Sequence, residues 1–200
     1  MTDATIWPAP VRLEGGDVVL EPLSLSHAPA LAEASADGEL WRLWFTSVPK
    51  PEDMADAITA RLRAHELGQS TPFAVVTKGT GQAIGMTSYL NVVPSVKRLE
   101  IGSTWYARSA QRTGVNTQCK RLLLMHAFET LGCIAVEFRA HSFNQRSRKA
   151  IERLGAKLDG ILRNHFDPAG NIRDTCVYSI IAGEWPQVKR HLDFLLSQHG

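Results

Sequence analysis

Apolar positions along this chain recur at two periods, and the switches between them mark out its elements. Val18-Val19-Leu20-Glu21-Pro22-Leu23 is rich in β-branched residues and predicts a strand stopped by Pro22. Gly15-Gly16 before it reads as a turn, with Val11 to Leu13 as the partner of a hairpin. Ser26 suits the cap of a short helix carrying Leu31 and Ala32. Trp41, Leu43, Trp44 and Phe45 form an aromatic cluster on a loop or a second short helix. Pro51 opens the next helix, with Met54, Ile58 and Leu62 at spacings of four and Gly68 at its end.

The middle of the chain changes period. Phe73 to Thr77 and Ala83 to Leu90 flank Gly79-Thr80-Gly81 and predict a β-hairpin. Leu99, Ile101, Ser103 and Trp105 alternate with Glu100, Gly102, Thr104 and Tyr106, the pattern of a strand with two distinct faces. Leu124, Ala127, Phe128 and Leu131 then share a helical face that Gly132 stops. Ile134 to Ala140 reads as a strand. Asn144 to Leu154 reads as a short helix with Ala150, Ile151 and Leu154 inward. Leu158 to Phe166 and Asp174 to Ile181 read as strands about a turn at Asp167 to Asn171. Glu184 to Leu196 closes the chain as a helix with Trp185, Val188, Leu192 and Leu195 on one stripe. The sum is an α/β (α+β) chain with a mostly antiparallel sheet and helices at intervals. No repeat or linker interrupts it, so one domain is expected over residues 1–200, with a core at about 17–183 and a closing helix at 184–198.

Composition narrows the function classes. Of 200 residues, 44% are hydrophobic and 21% charged, a globular balance. A formal charge of +2 from 22 basic and 20 acidic residues lacks the clustered excess of a nucleic-acid binder. No apolar run approaches the roughly 20 residues of a spanning helix, so no membrane partner is expected. Met1 to Pro10 has no basic residue ahead of an apolar run, which argues against a signal peptide. Cys119, Cys133 and Cys176 show no CxxC spacing, so buried or half-buried free thiols in a reducing cytoplasm are expected. The seven histidines show no HxxxH or HExxH pattern, and no metal is expected.

The segment Gln111-Arg112-Thr113-Gly114-Val115-Asn116-Thr117 lies between a predicted strand and a predicted helix. A helix start leaves backbone N–H groups unpaired and carries partial positive charge, which suits a phosphate or pyrophosphate. Gly114 would let the backbone approach an anion, and Arg112 could add a charged contact. Asn116 or Thr117 could instead cap the helix.

Strand, loop, helix, strand and a short helix opened by Asn144 follow in an order that resembles the GNAT superfamily of acyl-CoA N-acyltransferases. Gln111 and Gly114 match the family's acetyl-CoA signature, and Asn116 departs from it where Gly or Ala is usual. Asn144-Gln145-Arg146-Ser147 resembles the family's Asn-x-x-Ser motif, running on to Leu154-Gly155. The last hairpin with Asp174 and Tyr178, and Glu184-Trp185 after it, is most similar to the RimJ/RimL-type subgroup. The resemblance implies a twisted, mixed, mostly antiparallel sheet that splays at its fourth and fifth strands. Acetyl-CoA is the implied co-substrate, with its pantetheine arm pairing with the fourth strand in that opening. Its pyrophosphate would rest on Arg112 to Thr117 and its thioester near Ser103 to Tyr106. Gln111, Trp105, Asn144, Ser147 and Arg148 complete the implied cofactor contacts.

Catalytic candidates follow from what amine acetylation needs: a neutral amine, an exposed thioester and a stabilised thiolate. Many superfamily members place a tyrosine where this chain has Ile151. The subgroup resemblance points instead to Ser147, which either hydrogen-bonds the leaving sulfur or only packs in the helix's first turn. Glu100 is the carboxylate for deprotonating an amine, or else a solvated strand residue. His141 has a suitable ordinary pKa but reads more readily as a surface histidine. His165 and Asp174 could line the acceptor site, with Asp174 orienting a cationic amine. Trp44, with Trp41 and Phe45, could roof that site or pack in the core. Arg146, Arg148, Lys149 and Arg153, with Lys120 and Arg121, form a basic rim or a solvated face, and a partial role is expected of Arg148 alone. These readings imply an N-acetyltransferase acting on a primary amine, either a protein N-terminus or a small molecule, and leave a homodimer open. The alternative is a non-catalytic acyl-CoA-binding module.

Overall fold

The computed structural model describes residues 7–167 and 170–198. Met1 to Ile6, and Pro168 and Ala169 of the last predicted turn, lie outside the described residues. Eight strands form one mixed sheet in the order β1-β2-β3-β4-β5-β6-β8-β7. They are β1 (Leu13–Gly15), β2 (Val18–Pro22), β3 (Ser70–Thr77), β4 (Ala83–Val93), β5 (Arg98–Tyr106), β6 (Ala135–His141), β7 (Lys157–Phe166) and β8 (Ile172–Ile181). The helices are α1 (Ala28–Ala36), α2 (Met54–Glu66), α3 (Val115–Met125), α4 (Gln145–Arg153) and α5 (Trp185–Ser197). All neighbouring strands are antiparallel except β5 and β6. That one parallel pair follows from its connection: a chain that must return to the same end of the sheet needs a helical crossover, here α3.

Alternation along the strands sorts the core into two layers. One layer joins Leu20, Phe73, Val75, Tyr89, Leu99, Ile101, Phe138 and Tyr178 to the apolar stripes of α3, α4 and α5. The other joins Val19, Ala74, Val76 and Met86 to Leu31 of α1 and Met54 and Ile58 of α2. Burial of this kind contributes about 25 cal/mol per Å² of apolar surface, and it fixes the register, because a one-residue slip would reverse every strand's faces. Among the described residues no helix is long and apolar enough to cross a membrane.

Three details depart from the sequence pattern. Strict alternation fails in β5. Met86 pairs with Trp105 and Ser88 with Gly102, so Ser103 and Thr104 together oppose Thr87. This β-bulge, with Ser103 at φ +48°, reverses the pleat. Trp105 therefore shares the α1–α2 layer, on the face of Glu100, while Tyr106 joins the α3 layer. Second, α3 runs on through a π-helical turn at His126–Thr130 before Gly132 ends it. Third, Ser26 is not a cap: a short turn at Leu25–His27 precedes α1, and the Ser24 N–H donates to His27 Nδ1 over 3.1 Å.

Candidate functional site

The parallel pair β5 and β6 makes the opening that matters. Their pairing consists of Arg98 with Ala135, Leu99 with Val136 and Glu100 with Glu137. Beyond Glu100 no strand of the described residues pairs with this edge of β5, so its backbone from Ile101 to Trp105 faces a widening cleft. These are the strands expected as fourth and fifth; the short β1 shifts the count by one. The bulge lies on this free stretch, and Ser103 is exposed.

The loop closing the cleft begins where β5 ends. Gln111 donates its amide to the Tyr106 carbonyl over 2.8 Å. Arg112 is exposed, with φ +63° in the left-handed region that lets the chain reverse into α3. Gly114 takes the N-cap position at φ −68° and ψ −12°, so its role here is not a positive φ. Neither Asn116 nor Thr117 caps the helix. The Thr113 hydroxyl accepts from the Val115 N–H over 3.3 Å, and the buried Thr117 accepts from Arg153 over 3.0 Å. Apart from the Val115 N–H, which Thr113 takes, the first N–H groups of α3 have no partner within the helix, and a helix start of this kind suits an anion.

Helix α4 frames the other side. Asn144 caps it, its Oδ1 accepting from the Ser147 N–H over 3.0 Å. The Ser147 hydroxyl makes no hydrogen bond to the described residues and is half-buried. Arg146 donates to Gln111 Oε1 over 2.7 Å, so with Arg153 it ties α4 to the loop. Arg148 turns the other way: its guanidinium donates to Tyr178 Oη at 3.0 Å and the Ser142 carbonyl at 3.3 Å, and Tyr178 donates to Glu152 at 2.8 Å. The cations that touch the loop are thus Arg146 and Arg153. Lys120 leaves the basic rim altogether, since it is buried under β5. Ile151 packs in the core. Trp105 turns its indole into the α1–α2 layer, so what it offers the cleft is its main chain.

Glu100 stands at the apex of the splay. It is 6% exposed, not a solvated strand residue. Asn91 donates to its Oε2 over 2.7 Å, and Arg139 lies 3.5 Å from the same oxygen. Oε1 sits above Gly102, where an added Cβ would come within 2.6 Å of it. Burial raises the carboxyl pKa, opposed by the Asn91 hydrogen bond and by Arg139. A carboxylate so raised is a stronger base than a free one. Asn91 escaped the sequence reading because its contact depends on an irregular register between β4 and β5 that no local pattern encodes.

On the same face of the sheet, helices α1 and α2 cover β2 to β5 and leave β6, β8 and β7 open. A cavity of about 280 Å³ lies there, lined by Trp44, His141, Ser142, Phe143, Asn164, Ile172, Arg173 and Asp174. Trp44 is 71% exposed and meets the His141 ring edge-on at 4.9 Å. His141 is buried, contrary to expectation. Its Nδ1 accepts from the Phe143 N–H over 3.1 Å, which leaves the neutral ring's proton on Nε2. Burial lowers its pKa, and Arg173 adds to the effect. Asp174 lines the cavity, but Oδ1 accepts from the Asn164 N–H over 3.0 Å and Oδ2 from Arg163 over 2.6 Å. Both of its oxygens are thus engaged within the β7–β8 hairpin. His165 bonds Thr175 over 3.2 Å beside the cavity. A second cavity, of about 520 Å³, lies on the other flank of α3 between Gly16, Thr113, Gly114, Arg121 and Asp193. The described residues hold no cluster of three or more metal-ligating side chains. Cys119, Cys133 and Cys176 are buried free thiols.

Comparison with known proteins fits this geometry. Residues 17–157 match the family described as the acetyltransferase (GNAT) domain. YdaF of Bacillus subtilis, provisionally named a ribosomal N-acetyltransferase, is 32% identical over 105 residues, covering 52% of this chain and 57% of YdaF. A GCN5-related N-acetyltransferase from Brucella melitensis superposes with a TM-score of 0.81 at 27% identity, covering 96% of this chain and 89% of that one. RimJ of Mycobacterium smegmatis, solved with CoA-disulfide, shares the fold at a TM-score of 0.75 and 22% identity, with 96% of each chain covered. The chain belongs to the GNAT acetyltransferase family and is an acetyl-CoA-dependent N-acetyltransferase.

Proposed function

We propose that the acceptor is the α-amine of a protein N-terminus, delivered along the open face of β6 to Glu100. One observation carries this reading. Glu100 is level with Glu137, and the aromatic cavity begins at His141, four residues further along β6. Four residues of strand span about 13 Å, so an extended peptide with its amine at Glu100 reaches the cavity with about its fourth residue. A small amine would leave the cavity unused. The relationship to YdaF, whose name is that of a ribosomal N-acetyltransferase, supports a protein as the acceptor.

In this reading the acetyl thioester lies along the free edge of β5, with the pyrophosphate on the N–H groups of Arg112 to Thr117 and the cations Arg112, Arg146 and Arg153 at its rim. Acetyl-CoA supplies the acyl group and the leaving thiolate. The neutral amine attacks the thioester carbon, forming the C–N bond while the carbonyl electrons move to oxygen. The C–S bond then breaks with its electrons on sulfur. The amine's surplus proton passes to Glu100, directly or through a water. Ser147 donates a hydrogen bond to the thiolate; its own proton is too weakly acidic for full transfer, and solvent completes protonation. A cytoplasmic location suits the three buried thiols.

The test is a panel of acceptors with acetyl-CoA, read by mass spectrometry. Peptides with free N-termini should gain one acetyl group at the α-amine. The same peptides blocked at the N-terminus but carrying lysine should not. Turnover confined to polyamines or amino sugars would overturn the acceptor assignment and leave the donor site standing.

A further inference from the structure

Lys120 is a buried cation that the scheme above does not use. It projects from α3 toward the underside of the bulge and is 5% exposed. Its Nζ donates to Thr104 Oγ1 over 2.6 Å and to Thr87 Oγ1 over 3.2 Å. The two hydroxyls are 2.8 Å apart, and Thr104 also lies 3.3 Å from the Gly102 carbonyl. Thr87 and Thr104 are the residues that face each other across the bulge, so Nζ closes a three-membered polar cluster beneath the backbone of Ser103. Among the described residues no carboxylate lies within ion-pair distance of it. Burying a lysine without a counter-ion is expensive. A methionine would fill the same space in this apolar layer without that cost. A fold that keeps such a group, under a left-handed Ser103, is paying stability for something other than packing.

We propose that Lys120 is a positioning residue for acyl transfer: through Thr104 and Thr87 it holds the bulge, and it sets a positive charge behind the strand where the thioester oxygen becomes negative. The proposal rests on the thioester lying along the free edge of β5, as above. In that arrangement the charge acts on the step in which the C–N bond forms and the carbonyl electrons move to oxygen. Lys120 forms no bond to substrate and transfers no proton. A fixed charge in a water-poor site stabilises such a transition state without reorganisation when the reaction occurs.

The groups around Lys120 leave its charge unopposed. Cys119, beside it on α3, has its thiol pushed up to about 12 by burial and stays neutral. The phenols of Tyr89 on β4 and Tyr106 on β5 are raised well above 10 by burial and are neutral too. Arg153 of α4 engages Thr117, and Arg121 is paired with Asp193 of α5. Burial lowers the Lys120 pKa to about 8. Turnover should therefore fall as pH rises through about 8, although the acceptor amine becomes more nucleophilic over the same range.

The experiment measures kcat and KM against pH for the intact protein, using whichever amine it turns over, so the N-terminal assignment can fail without touching this test. Lys120→Met should lower kcat about ten- to a hundredfold with the KM for acetyl-CoA unchanged. It should also lose the alkaline fall and melt no lower than the parent. Lys120→Arg, charged at every accessible pH, should recover part of kcat and hold it above pH 9. An alkaline fall that persists in Lys120→Arg, or a Lys120→Met variant with unchanged kcat, would overturn the proposal. Should both variants fail to fold, the parent enzyme decides: a profile that rises to a plateau through pH 9 sinks the idea.

Discussion

The side-chain amide of Asn91 donates to Glu100 Oε2 over 2.7 Å from a backbone held at φ +45°. That conformation is uncommon for a residue with a side chain, and asparagine is among the few that tolerate it. It arises where the β4–β5 register shifts between Leu90 and Val93. The irregularity has a chemical result. One carboxylate oxygen of Glu100 is tied down, and the other is left above Gly102. Replacing Asn91 with glycine keeps the backbone freedom and removes the amide. Asn91→Gly should lower kcat about tenfold, because Glu100 loses the bond that orients it, with a modest fall in melting temperature: the lost hydrogen bond to a charged group is worth about 1.5–3 kcal/mol, and relief of the left-handed strain offsets only part of that. Steady-state kinetics beside a thermal melt checks this. A loss of stability with kcat intact would make Asn91 a purely structural residue.

Glu100→Gln is the sharper variant. If the carboxylate takes the amine's proton, turnover should fall about 10²- to 10⁴-fold while acetyl-CoA binding by calorimetry is kept. The pH dependence has a definite sign. The Glu100 pKa is raised by burial, so activity of the parent should fall as pH drops through a value higher than that of a free glutamate. Stability runs the other way. A raised carboxyl pKa means that the folded state disfavours the ionised form, so the group costs stability above its unfolded pKa and the cost vanishes as it protonates. Glu100→Gln should therefore melt no lower than the parent at neutral pH. A variant that is slow and also markedly unstable would point to packing instead.

Much of this was legible in the chain because the helical and strand periods are clean. Every strand from Val18 to Ile181 and each long helix was anticipated within a few residues. Gln111 to Thr117 and Asn144 to Ser147 stand out in the sequence, and the fold sets them beside the cleft between β5 and β6. What escaped has a common cause. The bulge at Ser103 inserts one residue into a period of two, and so moves Trp105 to the other face. Asn91 and Lys120 act through partners on neighbouring strands, and only the register brings those together. Arg146 and Arg148 are two residues apart on a helix, about 200° in direction, and charge alone does not say which turns to the loop.

The α4 cations give a third prediction. Arg146 bonds Gln111 and Arg153 bonds Thr117, so both sit at the pyrophosphate end of the proposed CoA site. Removing either should weaken CoA binding about three- to tenfold, in the range of single partly exposed charge contacts, with kcat at saturating acetyl-CoA nearly unchanged. Calorimetric titration of Arg146→Ala and Arg153→Ala with CoA measures the change. Raising the salt should shrink the gap between parent and variant, since screening weakens what the arginines supply. Unaltered affinity in both variants would move the phosphates off this rim.

Trp44 tests the acceptor path. It is 71% exposed and packs on His141 and Phe143 at the mouth of the cavity, about 13 Å along β6 from Glu100. An aromatic side chain left so open gains burial only when something covers it. If a peptide lies between the two points, the indole touches the fourth residue and not the first two. Trp44→Ala should then raise KM about tenfold for acceptor peptides of six residues, the usual scale for losing an aromatic anchor. It should leave dipeptide amides unaffected, and kcat should hold for both lengths. The comparison separates a docking contact from a general loss of fold, which would slow both acceptors alike. Equal effects on both lengths would place the indole over the amine itself, and no effect on either would route the acceptor along another face.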